Sequence, residues 1–402
     1  MYDVRFDVII VGARCAGSPT AMLLARQGYR VLLVDRSRFP SDIMRLHYIR
    51  QPGVALLGRW GLLDRVVASG APRIPLMTQA QEGSALTGTA WPIDGVVDAI
   101  GPRRRVLDQI LVEGAVEAGA ELREGFTVQE VLTDGDRVTG IRGRDASGAS
   151  VTEHARITVG ADGMRSIVAR TVDAPVYEAV PSLVCWYHSY WSGVPMDRIQ
   201  VHVQGRRIIL AFPTNDGLTC VVVGWPHGEF QAVRTDVEGS FHSALELAPE
   251  LAGRVRAGRR EERFGGMADV PNFFRRPFGP GWALVGDAGY HKDPYLAHGI
   301  MDAFRGADLL AHALDDGFSG RHPLSGALAE YERRRNEALP VYRLNLQLAG
   351  LQPAAPEQLR LREALRGNSV ELSRFFGVAA GTVPVAEFFA PENLARIMRE
   401  AA

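Results

Sequence analysis

Residues 281–306, GWALVGDAGYHKDPYLAHGIMDAFRG, hold the groups with the clearest chemical potential in the chain. The pattern predicts a buried strand at residues 282–285, a tight turn that carries Asp287, an irregular loop, and a long helix from about Ile300. A carboxylate would then stand at the carboxyl end of a strand, close to unpaired backbone N–H groups at a helix start. Such an arrangement holds a polar, partly anionic ligand.

Lys292, in the same loop, is the only lysine of the chain, because the other 44 of the 45 basic residues are arginine. The arginine excess itself fits a GC-rich genome better than a functional demand. A single lysine at this position indicates a local need for a compact cation. Lys292 is therefore a candidate functional residue.

A second informative unit is residues 6–36, for which a buried strand, a glycine turn, a helix and a second strand are predicted. In this context Gly12 and Gly17 form a βαβ nucleotide-binding fingerprint. Asp35, at the end of the second strand, is placed to accept hydrogen bonds from an adenosine ribose. Arg14 stands where the pattern has its middle glycine, and its guanidinium can pair with a phosphate.

Other polar residues follow predicted strands or precede predicted helices. Asp162 lies in a turn after a third strand, and this turn opens a helix. Arg104 lies at a helix start, where the helix dipole disfavours a cation unless it pairs with an anion. Arg45, His47 and Arg50 lie where the chain should return toward the ligand; the alternative is that they are solvated loop residues.

Composition and charge exclude several classes of function. The chain of 402 residues is long enough for two domains, and its net charge of −1 gives no overall field that would favour nucleic acid. The three cysteines argue against a disulfide framework, and no pair has metal-ligand spacing. No signal peptide or membrane span is evident. We expect a cytoplasmic protein with no metal site, no nucleic-acid partner and no stable membrane insertion.

The order of predicted elements gives the fold class. Strand–helix alternation at both ends of the first 320 residues predicts an α/β, Rossmann-like dinucleotide-binding domain. Alternating strands after residue 177 predict an interleaved antiparallel sheet that carries the substrate, and the last segment is helical. The predicted units are a discontinuous domain at 1–75, 101–176 and 263–320, a sheet domain at 76–100 and 177–262, and a C-terminal helical region at 321–402.

The predicted antiparallel sheet is rich in aromatic residues. Trp186, His188, Tyr190 and Phe212 are candidate walls of a substrate pocket, together with Arg50. Aromatic residues in a sheet more often form the core, so both interpretations stay open.

With these motifs in place, residues 6–36, 160–166 and 281–306 resemble the FAD-dependent aromatic hydroxylases, in a larger class with geranylgeranyl reductases and flavin-dependent halogenases. The resemblance covers most of the chain. It implies FAD as the cofactor and NAD(P)H as a transient reductant that visits without a domain of its own. The FAD contacts that it implies are Gly12, Arg14, Cys15, Ala16, Gly17, Asp35, Arg36, Arg104, Asp162, Asp287, Pro294, Ala297, Gly299 and Ile300.

The sequence departs from the family pattern at three places. Arg14 replaces the middle glycine of the fingerprint. His298 and Asp302 stand where the family usually has a glutamine before the second glycine and an asparagine near the helix start. These changes leave FAD binding expected, but put the detailed chemistry in doubt.

The resemblance implies a monooxygenase that inserts one oxygen atom from O2 into an aromatic or polycyclic small molecule through a flavin hydroperoxide. The first alternative is a flavin-dependent reductase or dehydrogenase acting on a C=C bond. A halogenase comes lower, because the N-terminal half and the middle of the chain hold no lysine and the tryptophan segment of those enzymes is absent. A non-enzymatic flavin-binding protein is the remaining alternative. The assembly is expected to be a monomer or a homodimer.

For the chemistry itself, the candidate catalytic residues are His291, Lys292 and His298. His291, His298 or His47 could relay a proton. Lys292 is hypothesised to balance the charge of reduced flavin or of an anionic substrate.

Overall fold

The computed structural model describes residues 5–41 and 46–401. Its strands are β1 Phe6–Val11, β2 Val31–Asp35, β3 Arg73–Ile74, β4 Leu76–Gln81, β5 Ser84–Gly88, β6 Ala99–Ile100, β7 Glu121–Glu124, β8 Thr127–Asp134, β9 Arg137–Arg144, β10 Ser150–Gly160, β11 Val176–Val180, β12 Val184–Ser192, β13 Arg198–Gln204, β14 Arg207–Pro213, β15 Thr219–Pro226, β16 Arg259–Arg260, β17 Gly265–Met267, β18 Asn272–Arg275, β19 Phe278–Gly279, β20 Trp282–Leu284 and β21 Tyr290–His291. Its α-helices are α1 Gly17–Arg26, α2 Gln51–Arg59, α3 Leu63–Ala68, α4 Arg104–Glu117, α5 Ile167–Thr171, α6 Phe230–Thr235, α7 Val237–Leu245, α8 Pro249–Ala257, α9 Gly299–Phe318, α10 Leu324–Asn336, α11 Leu339–Ala349, α12 Pro356–Arg366, α13 Ser369–Ala380, α14 Val385–Phe388 and α15 Pro391–Glu400.

The first sheet is the predicted Rossmann-like layer. Its strand order is β19-β20-β10-β1-β2-β7, and β1 runs parallel to both β10 and β2. Strand β20 continues the parallel pairing, with Gly160 opposite Leu284. Nearly all residues of β1 and β2 are apolar because both faces of the sheet are covered. Helices cover one face, and β8, β9 and α5 cover the other.

The second sheet runs in the order β16-β12-β15-β14-β13-β4-β5. All of these pairs are antiparallel except β13 with β4, where Ile199 lies opposite Met77 in a parallel pair. Successive residues of β12 alternate between two cores. Trp186 and Tyr190 face the core shared with helices α12 and α13, whereas Cys185 and Trp191 face α7 and α8. Burial on both sides explains why its strands are so apolar.

A small third sheet, β11-β18-β21, was not predicted from the sequence. Phe273 of β18 lies opposite His291, and Phe274 lies opposite Tyr290, so this sheet fixes the start of the loop that precedes α9. Strand β17, at Gly265–Met267, pairs with β12, so residues after position 262 also contribute to the second sheet. Helices α6 and α8 were also absent from the sequence-based prediction.

The predicted fold class is confirmed: a Rossmann-like layer, an interleaved and mostly antiparallel sheet, and C-terminal helices all occur. Within the described ranges, no helix combines the length and the apolar character needed to cross a bilayer. Those same ranges contain no group of three or more histidine, cysteine or acidic side chains arranged to hold a metal ion.

Candidate functional site

Three parallel strands bring their carboxyl ends to one edge of the first sheet. The amide of Ala161 donates to the carbonyl of Val11 at 2.8 Å, and the amide of Val285 donates to the carbonyl of Gly160 at 3.0 Å. The turns after β1, β10 and β20 therefore lie side by side. Ligands of open α/β sheets bind at this kind of edge.

The glycines of these turns are required by close packing. Gly12 has φ +106°, and a Cβ there would lie 2.5 Å from the carbonyl oxygen of Ala161. A Cβ on Gly17 would lie 1.7 Å from the carbonyl oxygen of Gly12. Gly286, with φ +60°, lies so close to Ala16 that a Cβ would be 2.7 Å from its methyl group. The fingerprint turn is thus pressed against its two neighbouring turns.

Asp35 ends β2 beside this turn and is buried. One carboxylate oxygen accepts from the amide of Ala13 at 2.8 Å, and the other accepts from the amide of Ser37 at 2.7 Å. Each oxygen can accept a further hydrogen bond. Arg36 is exposed, so the acid rather than the next residue faces the fingerprint turn.

Asp108 of α4 joins two of the predicted phosphate contacts, and sequence reasoning missed it. Its fully buried carboxylate accepts from Arg14 at 2.6 Å and from Arg104 at 3.0 Å, and the thiol of Cys15 lies 3.5 Å away. The (i, i+4) spacing between Arg104 and Asp108 was a signal that could have found part of this cluster. The contact with Arg14 spans 94 residues and leaves no local pattern.

Charged groups of both signs meet in this cluster. The guanidinium groups of Arg14 and Arg104 share the carboxylate of Asp108. Arg104 also interacts electrostatically with Asp287, which places the α4 start near the turn after β20. Burial raises the pKa of the Cys15 thiol to about 12, so the thiol adds no negative charge at neutral pH. The two guanidinium groups are of the type that pairs with phosphates.

Asp162 carries an unsatisfied acceptor. Its Oδ2 accepts from the amide of Ile167 at 2.6 Å and so caps α5. Its Oδ1 is buried and has no hydrogen-bond partner among the described residues, and burial raises the pKa of this carboxyl. A buried acceptor without a donor is costly, and the raised pKa of the carboxyl reflects this cost.

The loop from Asp293 to Ala297 is held by buried amide side chains that sequence reasoning missed. The amide of Asp293 donates to Oδ1 of Asn272 at 2.6 Å. Asn345 of α11 forms two hydrogen bonds with the loop. Its Nδ2 donates to the carbonyl of Asp293 at 3.0 Å, and its Oδ1 accepts from the amide of Leu296 at 3.1 Å. Asn345 comes from the C-terminal helical region, 52 residues further along the chain, so no local pattern indicates this contact.

Arg50 and Trp186 complete this anchorage. The Nε of Arg50 donates to the carbonyl of Leu296 at 2.7 Å, and Nε1 of Trp186 donates to Oδ2 of Asp293 at 3.4 Å. Both residues were predicted as substrate contacts, and both support the loop. Burial raises the pKa of the Asp293 carboxyl to about 7.

The anchored loop leads directly into α9. Pro294 begins a short 3-10 turn, and Ala297 follows it in the left-handed region with φ +54°. Helix α9 then begins at Gly299, and a Cβ at this position would meet no atom within 4 Å. Gly299 and Ile300 supply the first amides of this 20-residue helix, where the helix dipole is positive.

The positive charge of Lys292 is compensated by a neighbouring carboxylate. Its ammonium is 2.7 Å from Oδ2 of Asp302 and donates to the hydroxyl of Tyr290 at 2.7 Å. The side chain is 3% exposed, and burial lowers the pKa of Lys292. The pair ties the loop to the first turn of α9.

The two candidate histidines of this stretch are also bonded to backbone carbonyls. Nδ1 of His291 contacts the carbonyl of Pro271, and Nε2 of His298 lies 2.8 Å from the carbonyl of Ala379. Burial holds the pKa of His298 well below its usual range, so its imidazole is neutral at neutral pH. Its Nδ1 is buried without a partner among the described residues.

The predicted substrate wall is tightly closed in this structure. Trp186, His188, Tyr190 and Phe212 are each at most 2% exposed. Arg103, buried in front of them, lies 3.9 Å from the ring centre of Tyr190. Their contact with a substrate stays a prediction.

His47 and Arg45 were predicted, together with Arg50, to lie where the chain returns toward the ligand. His47 is buried behind Tyr190, and its ring contacts the hydroxyls of Tyr190 and Thr214. Arg45 lies outside the described residues.

The residues at this edge fit FAD, because they combine a glycine turn, a buried acid at the end of β2, two arginines beside the turn and a buried acid after β10. Residues 5–239 match the family model described as an FAD binding domain. The chain belongs to this family. The predicted resemblance to FAD-dependent monooxygenases and their relatives is thereby confirmed at the level of the family.

The chain is also similar in sequence to curated proteins of known activity. The chain is 28% identical to a rifampicin monooxygenase of Rhodococcus hoagii over 74% of its length, but spans only 62% of that protein. It is 28% identical to a kynurenine 3-monooxygenase of Salinispora arenicola, with 99% of this chain and 93% of that protein covered. It is 29% identical to digeranylgeranylglycerophospholipid reductase 1 of Methanopyrus kandleri, with 75% and 78% covered.

Solved structures agree on the fold. The myxobacterial chondrochloren halogenase CndH superimposes with a TM-score of 0.79 at 22% identity, covering 98% of this chain and 96% of its own. A flavoprotein/dehydrogenase from Cytophaga hutchinsonii gives a TM-score of 0.82 at 17% identity, covering 98% of each chain. At these identities the likeness establishes the fold alone.

Proposed function

We propose that this FAD-binding protein is a monooxygenase that uses NAD(P)H and O2 to insert one oxygen atom into an aromatic or polycyclic small molecule. The observation that carries the proposal is the anchored loop ahead of α9, at the edge of a sheet that belongs to the FAD-binding family. Relatives named as rifampicin and kynurenine monooxygenases support the reaction class and a ring-containing substrate.

Each part of the cofactor has residues that suit it. Asp35 would accept from the adenosine ribose, and Arg14 and Arg104 would pair with the pyrophosphate. Asp287 would accept from ribityl hydroxyls, and Asp162 would lie near the pyrophosphate and the nicotinamide donor. The flavin ring would lie against Pro294, Ala297, Gly299 and Ile300, next to Cys15 and Ala16 of the fingerprint turn.

FAD, when bound at this edge, would supply the redox chemistry of hydride acceptance and oxygen activation. The amides at the start of α9 would stabilise negative charge on the nearby ring edge, and the helix dipole adds to this effect. Asn272, Asn345 and Arg50 would hold the loop that leads into this helix start in place before the cofactor arrives. Preorganised dipoles stabilise charge better than groups that must first reorient.

The sheet face behind the loop would then orient the substrate and exclude water. Trp186 donates a hydrogen bond to Asp293 of the loop, so the sheet face and the loop are in direct contact. His188, Tyr190 and Phe212 lie on the same face and would contact a ring-containing substrate after a local opening.

The proposal is tested with the purified, FAD-loaded protein. Oxidation of NADH and NADPH and consumption of O2 are measured with a panel of phenols, indoles and polyketides. We expect at least one compound to accelerate both rates and to gain one oxygen atom. Absence of any substrate-dependent O2 consumption across the panel would contradict the proposal.

A second candidate function is reduction or dehydrogenation of a C=C bond. It is favoured by the likeness to a digeranylgeranylglycerophospholipid reductase, which covers 78% of that protein. Hydride transfer to or from the flavin requires no O2, so turnover under anaerobic conditions separates the two functions. Product formation without O2 would favour the reductase.

Halogenation ranks below both, although CndH shares the fold. The only lysine of the chain, Lys292, is neutralised by Asp302 and buried at 3% exposure. A halogenase would need a lysine that reaches the substrate. A dependence of product formation on added chloride or bromide would reverse this ranking.

A further inference from the structure

Four arginines are buried within the described part of the chain, and Arg50 differs from the others in its partners. In the other three, at least one terminal guanidinium nitrogen donates to a carboxylate or a carbonyl of the protein; these are Arg103, Arg335 and Arg362. Arg50 donates through Nε to the carbonyl of Leu296, while its Nη1 and Nη2 have no hydrogen-bond partner among the described residues. Neither terminal nitrogen is fully buried, so both keep surface that a ligand can contact.

The positive charge of Arg50 is also uncompensated. The side chain is 5% exposed, and no described carboxylate pairs with its guanidinium. Arg50 is the N-cap residue of α2, a helix with no side-chain cap and no acid in its first turn, so the positive end of the helix dipole adds to the charge. A buried cation at such a place is costly unless an anion pairs with it.

The acids of the neighbouring loop and helix do not supply that anion. Asp302 already pairs with Lys292 at 2.7 Å. Asp293 accepts from the amide of Tyr295 at 3.1 Å, and burial raises the pKa of its carboxyl to about 7. Burial lowers the pKa of His298, and the positive charges of Lys292 and Arg50 lower it further. The electrostatic potential around this loop is therefore positive.

Tyr48 offers a second donor beside Arg50. Cζ of Arg50 lies 5.5 Å from the centre of the Tyr48 ring. Tyr48 is 6% exposed, yet its hydroxyl is not fully buried and has no hydrogen-bond partner in the part of the chain that the structure describes. Burial raises the pKa of this phenol to about 12, so it keeps its proton at neutral pH. The ring packs edge-on against Phe212 at 5.5 Å, so Tyr48 and Arg50 border the predicted substrate wall.

We propose that Arg50 and Tyr48 bind a carboxylate of the substrate, so that the aromatic or polycyclic compound of the proposed reaction carries an acidic group. The planar guanidinium presents N–H groups that match the two oxygens of a carboxylate, and the phenol adds a further donor. A single cation balances one negative charge, which fits a carboxylate better than a doubly charged phosphate. This inference rests on the proposed function, because it names the charge of the same substrate.

The geometry also gives the carboxylate a positioning role. Nε of Arg50 remains bonded to Leu296, so the bound substrate would be fixed relative to the loop that leads into α9. The rest of the substrate would then extend along the face that holds Phe212. Fixing a substrate at a group remote from the reacting atom orients that atom at the flavin.

The probes are 2-naphthoate and the neutral compound of the same shape, 2-naphthamide. Their dissociation constants are measured by equilibrium dialysis against the FAD-loaded protein without NADH or NADPH, so that no turnover occurs. Arg50→Gln removes the cation, and Tyr48→Phe removes the hydroxyl alone. Arg59→Gln, exposed at the other end of α2, and Tyr187→Phe, on the opposite face of the second sheet, are the matched controls. The melting temperatures of all variants are measured in parallel.

We expect the wild-type protein to bind 2-naphthoate about tenfold more tightly than 2-naphthamide, and Arg50→Gln to abolish this preference. Tyr48→Phe should weaken 2-naphthoate about fivefold and leave 2-naphthamide unchanged. Both controls should bind as the wild type does. Because Tyr48→Phe keeps the bond between Arg50 and Leu296, it decides the test if Arg50→Gln does not fold.

Equal affinity of the wild type for the two probes would overturn the inference, and this is also the result expected if the cofactor filled the site. Binding of 2-naphthoate that Tyr48→Phe and a folded Arg50→Gln leave unchanged would overturn it as well. Failure of the proposed function looks different. Oxygen insertion into compounds bound without a carboxylate preference would sink the inference alone, whereas a carboxylate preference without any oxygen insertion would sink the monooxygenase alone.

Discussion

The buried pair of Lys292 and Asp302 gives the sharpest prediction for stability. In Lys292→Met, the carboxylate of Asp302, whose side chain is 14% exposed, loses its cation, and the hydroxyl of Tyr290 loses its donor. Removing one partner of a buried ion pair typically costs about 3–5 kcal/mol. Because Asp302 retains some contact with solvent, we expect the lower end, about 3 kcal/mol.

The expected loss is large enough to measure by thermal unfolding of the FAD-loaded protein. At about 2 °C for each kcal/mol in a large domain, Lys292→Met should lower the melting temperature by roughly 6 °C. Arg305→Met is the matched control, because Arg305 lies on the same helix and pairs with Glu337 at the surface, where both side chains are more than 40% exposed. An exposed pair contributes at most about 1 kcal/mol.

The double variant Lys292→Met/Asp302→Asn separates charge compensation from packing. It removes the uncompensated carboxylate, so we expect it to recover most of the lost stability. A Lys292→Met protein that melts at the wild-type temperature would refute the reasoning. A double variant less stable than Lys292→Met would refute it as well. Flavin reduction by NADPH, measured in the same variants, tests separately whether Lys292 balances charge on the flavin.

Three further predictions address the cofactor edge and the loop. Gly12→Ala should abolish FAD retention, because its Cβ would lie 2.5 Å from a carbonyl oxygen. Gly28→Ala is the control, because Gly28 also has a positive φ but a Cβ there would meet no atom within 4 Å. This control should keep the absorption spectrum of bound FAD. Asp108→Asn should weaken FAD binding roughly tenfold in a fluorescence titration, because an amide holds the guanidinium groups of Arg14 and Arg104 in position less firmly than the carboxylate does; Glu113→Gln, near the surface of the same helix, should leave the affinity unchanged. The Asp293 carboxyl has a pKa of about 7 in the folded protein, against 3.8 for an ordinary aspartate. The folded state therefore binds this proton more tightly than the unfolded state. The free energy of unfolding should fall as pH rises from about 4 to about 7, by about 4 kcal/mol at most. Urea titrations across this pH range should show a flatter profile for Asp293→Asn; identical profiles would contradict the assignment.

Local patterns predicted the parts of the site that local geometry builds. The fingerprint turn, Asp35 and the start of α9 each lie within one strand–turn–helix unit, where spacing and glycine placement carry the information. Parallel strands in such units end at one edge of the sheet, so this placement follows without knowledge of the rest of the fold.

Contacts between distant segments could not be predicted in this way. Asn272 and Asn345 anchor the loop before α9 from other parts of the chain, and neither sits in a recognisable motif. Lys292 stood out by composition, but composition could not show that Asp302, one α-helical turn into α9, neutralises it. The parallel pairing of β13 with β4 joins segments about 120 residues apart and likewise has no local signal.

We propose that the anchored loop and the edge of the first sheet serve an oxygen-inserting enzyme. The most direct measurement is turnover of the FAD-loaded protein with NADH or NADPH in the presence of isotopically labelled O2 and the substrate panel, followed by mass spectrometry of the product. A monooxygenase predicts one labelled oxygen atom in the product and O2 consumption that depends on the substrate. An unlabelled product that forms equally well without O2 would contradict the account.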